Sequence, residues 1–131
     1  MASTPQYSAT VNTGIVVVST ANTNLDGTGT LGTVLTAGSS GSRIDDIHIK
    51  AIATTTAGCV RIFIHNGSSA FLVAENPVLA LSPSATIPAY ESHLNQENCD
   101  FLPLSLPTGY SLRASTEKAE SFNIIAQGGD F

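Results

Sequence analysis

Short β-prone runs, each ended by a turn former, recur about every ten residues along this chain. That spacing constrains the fold more than any other feature. The candidate strands are Gln6–Asn12, Gly14–Thr20, Thr30–Thr36, Ile44–Thr54, Cys59–His65, Ala70–Glu75, Ala85–Tyr90, Phe101–Leu104, Tyr110–Ser115 and Ser121–Gln127. Between them lie "NTNLDGTGTLG", "TAGSSGS", "HNGSSA" and "LSPSATIP", rich in the Gly, Asn, Asp, Ser and Pro that punctuate β structure. Asn66-Gly67 is the strongest hairpin signal among them. Only "ESHLNQENCD", Glu91–Asp100, is polar enough to suggest a short helical turn. The expected fold is all-β: an antiparallel β-sandwich of about 8–10 short strands, jelly-roll-like. The 131 residues suit one domain, 1–131, with residues 1–13 as a candidate N-terminal arm.

Composition then removes several functions. Charged residues make up 11% of the chain and the net charge is −5, with Arg43, Lys50, Arg61, Arg113 and Lys118 the only cations. A nucleic-acid binder draws most of its affinity from phosphate neutralisation, so none is expected here. No apolar run approaches the ~20 residues of a membrane helix, and no membrane partner is expected. "MASTPQYSATVNTG" has neither the basic nor the apolar region of a secretory signal, so synthesis in a cytoplasm and release by a route such as lysis is the expectation. Cys59 and Cys99 fit no disulfide framework and are expected as free, half-buried thiols.

The stretch "RIDDIHIKAIATTTAGCVRIFIHNG", Arg43 to Gly67, concentrates two of the three histidines and three of the five cations. With Thr55–Gly58 as a tight loop it becomes a hairpin. One face then carries Ile47, Ile49, Ala51, Val60, Ile62 and Ile64. The other carries His48, Lys50, Arg61, Phe63 and His65. Alternation along a strand makes this split clean, and a slip of one residue would destroy it. In that register His48 and His65 are cross-strand neighbours, the weak candidates for a metal pair. Asp46 would share the His48 face on a regular strand, but one carboxylate two residues along is common by chance, so hydrogen-bonded histidines on a half-exposed face are favoured and no metal or other cofactor is expected. Lys50 would lie over Phe63 as a cation–π pair.

Other chemistry is weakly signalled. Asp45 and Asp46 are adjacent, so on a regular strand they point to opposite faces and cannot share a substrate; one of them suits a strand start or a bulge. "GTGTLG" has the spacing of a dinucleotide-binding loop, but no βαβ unit surrounds it. Cys99 lies near His93 and Asn95, a faint echo of a thiol site. No nucleophile elbow or phosphate loop is present. A non-enzymatic binding or assembly role is expected.

The segments "LPTGYSLRASTEKAESFNIIAQGGDF" and "TANTNLDGTGTLGTVLTAGSSGSRIDDIHIKA" resemble small structural proteins of tailed-bacteriophage virions, most closely the capsid decoration, or cement, proteins. The first also reads as a C-terminal β-hairpin. The resemblance implies a place on the capsid surface, a major capsid protein as partner, a homotrimer, and no catalytic residues. Lys50, Arg61, Phe63, Tyr7 and Phe131 are the candidate interface residues. A tail, neck or baseplate component is the alternative. A carbohydrate-binding jelly-roll module is disfavoured, because the chain has no Trp and three Tyr. A metal-dependent jelly-roll enzyme would need the histidine pair.

Overall fold

A computed structural model describes residues 9–131. Its strands are β1 Thr10–Val18, β2 Gly32–Thr36, β3 Ser42–Ala51, β4 Gly58–His65, β5 Ala70–Val78, β6 Glu91–Leu94, β7 Leu104–Leu106, β8 Ser111–Thr116 and β9 Phe122–Asp130, with no helix among the described residues. They form two antiparallel sheets packed as a β-sandwich. Sheet A runs β1-β9-β3-β6, with β7 also paired to β3; sheet B runs β2-β8-β4-β5.

The core comes from every second residue of the paired strands. Ile47, Ile49 and Ala51 of β3 and Ile124 and Ala126 of β9 face inward from sheet A. Val60 and Ile62 of β4 and Leu112 and Ala114 of β8 meet them from sheet B. All are essentially solvent-free. Burying each large side chain contributes roughly 1.5–3 kcal/mol relative to exposure, so this double layer is the main stabilising term.

The expected hairpin of β3 and β4 does not form. β3 pairs with β9, β6 and β7, whereas β4 pairs with β5 and β8. The inward residues are still those the alternation marked. Two apolar stripes can share a core by lying side by side in one sheet or by facing each other across two sheets. Residues 52–57 take the second route. Thr55 closes this connection, exchanging backbone hydrogen bonds with Leu81 (2.9 and 3.2 Å) and donating its hydroxyl to Leu79 O at 2.7 Å. The expected C-terminal hairpin is corrected in the same way: β8 lies in sheet B and β9 in sheet A. The Asn66-Gly67 turn does join β4 to β5 as a hairpin. Asn66 Oδ1 accepts from Ser68 N and Ser69 N, and Gly67 takes φ +99°.

Smaller departures have local causes. The two strands expected before residue 20 form one strand within the described residues, because Gly14 is a point of close approach and not a break. A Cβ there would strike the Val34 carbonyl where β2 crosses the inner side of β1. Residues 85–90 are not a strand. Glu91–Leu94, expected near a helical turn, instead pairs with β3. Asp45 is a bulge: the β3–β9 register shifts between Ile44 and Asp46.

Candidate functional site

With the inward residues committed to the core, binding surface must come from the outer faces of the sheets and the loops beside them. On the outer face of sheet A the register aligns Val17, Asn123, Lys50 and Glu91 in one row. The next row is Ile15, Ile125, His48 and His93. Among the described residues β1 pairs only with β9, which leaves its other edge without a strand partner there. Three of its outward side chains are apolar and exposed, Val11 (84%), Ile15 (65%) and Val17 (54%), with the exposed Thr13 among them. Opposite them the face turns polar. His48 Nε2 is 3.5 Å from Glu91 Oε2, and Lys50 Nζ donates to Ala89 O at 3.0 Å and lies 3.9 Å from Glu91.

The neighbour of His48 is therefore His93, on β6, and not His65. His65 sits on β4 in the other sheet, between Ala70 and Ser111. The expected cross-strand pairing of His48 with His65, the weak candidates for metal ligands, is thereby corrected, and so is the Lys50–Phe63 contact, since those residues also belong to different sheets. Among the described residues no group of three or more His, Cys, Asp or Glu is arranged to hold a metal ion. The sequence signal for His93 was its place two residues after Glu91 in a run too polar to read as a strand.

The outer face of sheet B is built differently. Phe63 points away from the core cluster and yet is 0% exposed. Arg61, beside it, is 8% exposed; its Nε donates to Glu75 Oε2 at 3.1 Å, and its Nη2 lies 3.9 Å from Glu117 Oε1. The β1–β2 loop is tied to β8 on one side of β4 and to β5 on the other. Ala21 bridges to Thr116, and Asn22 N donates to Thr116 O at 2.9 Å. Asn22 Nδ2 then holds Thr28 O and Thr30 O at 3.0 and 2.9 Å, folding the loop back on itself. Gly27 lies so close to the Ala70 carbonyl that no side chain would fit. Arg61 and Phe63 are thus interior residues and offer no surface to a partner.

Where this loop meets the β4–β5 turn it leaves an open hollow of about 300 Å³. Asp26, Thr28, His65, Ser68, Ser69 and Arg113 supply its polar wall. Asp26 Oδ1 accepts from both Thr28 Oγ1 (2.6 Å) and Thr28 N (3.1 Å), bonds that hold its carboxyl below the usual range. His65 Nδ1 accepts from Gly67 N at 3.1 Å, which places the proton of the neutral ring on Nε2. Arg113 Nε donates to Ser111 Oγ at 3.1 Å. The Gly27–Gly32 stretch, whose spacing mimicked a nucleotide loop, forms part of this wall.

The remaining candidates fall elsewhere. Phe131 is half-exposed at the chain end, anchored by its N–H to Gly41 O at 3.1 Å. Tyr7, like most of the 1–13 arm, lies outside the described residues. Cys59 and Cys99 are free and half-buried, and burial pushes the Cys99 thiol up, away from the reactive thiolate. No protein-family model, curated protein or solved structure matches the chain.

Proposed function

We propose that the chain is a non-enzymatic virion structural protein, a decoration protein that sits on the outside of a phage head and clamps neighbouring major capsid subunits, with β1 as the clamp. The observation that carries this reading is the open β1 edge with its outward Val11, Ile15 and Val17. A nine-residue edge strand normally carries charge, proline or a bulge that blocks pairing, and this one has none. Such an edge suits strand addition to a partner, with backbone bonds giving affinity and the apolar row giving burial. A homotrimer at the three-fold positions of the head is the assembly we propose.

The strand order supports a finer fold reading. Pairing β1 with β9, β2 with β8, β3 with β6 and β7, and β4 with β5 nests the chain as two Greek keys do in a jelly roll. Viral capsid domains use that architecture, and so do lectins and cupins, so the fold supports the virion reading only by analogy.

The test is particle composition and density. Purified virions of the phage encoding the chain should contain it, and a reconstruction of the head should place it on the outer surface with β1 against capsid protein. Density at the tail, neck or baseplate, or absence from the particle, would overturn the reading.

A further inference from the structure

The hollow beside the β4–β5 turn has no part in the clamp just described, and its electrostatics are unusual for this chain. Of the five cations, Arg43 pairs with Asp45, Lys50 with Glu91, Arg61 with Glu75 and Glu117, and Lys118 with Glu117. Arg113 alone among the described residues has no carboxylate within 4.0 Å, although the chain carries ten acids. Its Nε is turned to Ser111, which leaves the two terminal nitrogens of the guanidinium for a ligand. A guanidinium fork matches a carboxylate through two parallel hydrogen bonds.

Asp26 shares the hollow with Arg113 but forms no ion pair with it. Its carboxylate is positioned by Thr28, and the hydroxyls of Ser68 and Ser69 and the Nε2–H of His65 stand nearby on the same wall. A bare anion would use Arg113 and leave the rest unmatched. A ligand with one carboxylate and several hydroxyls would use both: the carboxylate on Arg113, hydroxyls donating to Asp26 and accepting from His65. The volume fits this class. About 300 Å³ is the lower end of small-molecule sites, and is more than one acidic side chain of a partner protein would fill. No Phe, Tyr or Trp lines the wall, so the broad stacking platform a neutral sugar needs is not offered and charge must supply recognition.

We propose that this hollow binds an acidic monosaccharide unit, a uronic-acid type of sugar, through Arg113 on its carboxylate and Asp26 and His65 on its hydroxyls. The site is independent of where on a particle the domain sits.

The experiment is an amide NMR titration of the whole chain at neutral pH with galacturonate, galactose and acetate. Galacturonate should shift the Gly27, Gly29, Ser68 and Ser69 signals saturably, and galactose and acetate should each bind about tenfold more weakly or worse, the loss expected for one charge-assisted contact set. Arg113→Gln should lose about tenfold in galacturonate affinity, and Arg113→Lys, which keeps the charge but not the fork, should fall between. Lys118→Gln, an exposed cation outside the hollow, should bind as the unaltered chain does. No saturable shift, galactose binding equal to galacturonate, or a folded Arg113→Gln protein with unchanged affinity would each overturn the proposal. Acetate matching galacturonate would also overturn it, and would point to an acidic side chain of a partner protein.

Discussion

The outer faces of the two sheets carry similar residue types and have opposite fates. On sheet A, apolar Val11, Ile15 and Val17 stand in solvent beside His48, Lys50, His93 and Glu91. On sheet B, Phe63 and Arg61 are buried on β4, and the β1–β2 loop is tied to the strands on either side of it. That loop is folded on itself by Asn22, and the outward residues of the strand between its two attachments form a second small core. Polarity along a strand therefore does not say whether its outward face is wet. What crosses over that face decides it.

Core-type truncation on the two faces should show the largest contrast. Phe63→Ala should cost about 3–5 kcal/mol, as deletion of a buried aromatic does. Ile15→Ala should change stability by no more than about 0.5 kcal/mol, as exposed substitutions do. Urea midpoints with unchanged slopes would measure both. Equal losses would break the comparison.

Arg61 sharpens it further. Arg61→Ala should cost about 2 kcal/mol, since it leaves a void, strips Glu75 of its cation and leaves Glu117 with Lys118 alone, discounted because Glu75 is partly solvated. Arg61→Met should cost less, because an apolar side chain of similar length fills the space without a charge to desolvate. Thermal unfolding of the pair would check the order, and a Met variant worse than the Ala variant would remove the buried-pocket description.

A smaller effect belongs to the end of sheet A. Hydrogen bonds from Ser42 Oγ and Asn12 Nδ2 hold the Asp130 carboxyl below its ordinary range. A lowered folded value means the contribution is fully present above the unfolded value of about 3.9. It is lost as the pH falls through the folded value. Asp130→Asn should flatten the acid limb of a stability–pH curve below about pH 4. An identical limb would show that Asp130 contributes nothing there.

The smallest expected effect on stability is Val11→Lys, within about 0.5 kcal/mol on the isolated chain. The same change should abolish attachment to particles if β1 is the clamp, read as loss of the chain from sedimented heads.

Much of this architecture was legible in the residues. Ile47, Ile49, Ala51, Val60 and Ile62 were marked as inward by alternation, and all five are buried. The Asn66-Gly67 turn, and a strand start or bulge at the Asp pair, were also marked, because both rest on local backbone chemistry. The partners of β3 and β4 were not, and with them went the His48/His65 pair. The hollow was invisible for the same reason. Asp26, His65 and Arg113 lie far apart in the chain, and none belongs to a motif.

The sequence by itself determined which residues face inward and where the chain turns, because period-two alternation and turn chemistry act over a few residues. The tertiary structure alone decided which strands are neighbours, which outward face is covered, and which charges are left unpaired. Those depend on how a connection such as 52–57 crosses between sheets, a choice that leaves every local pattern unchanged.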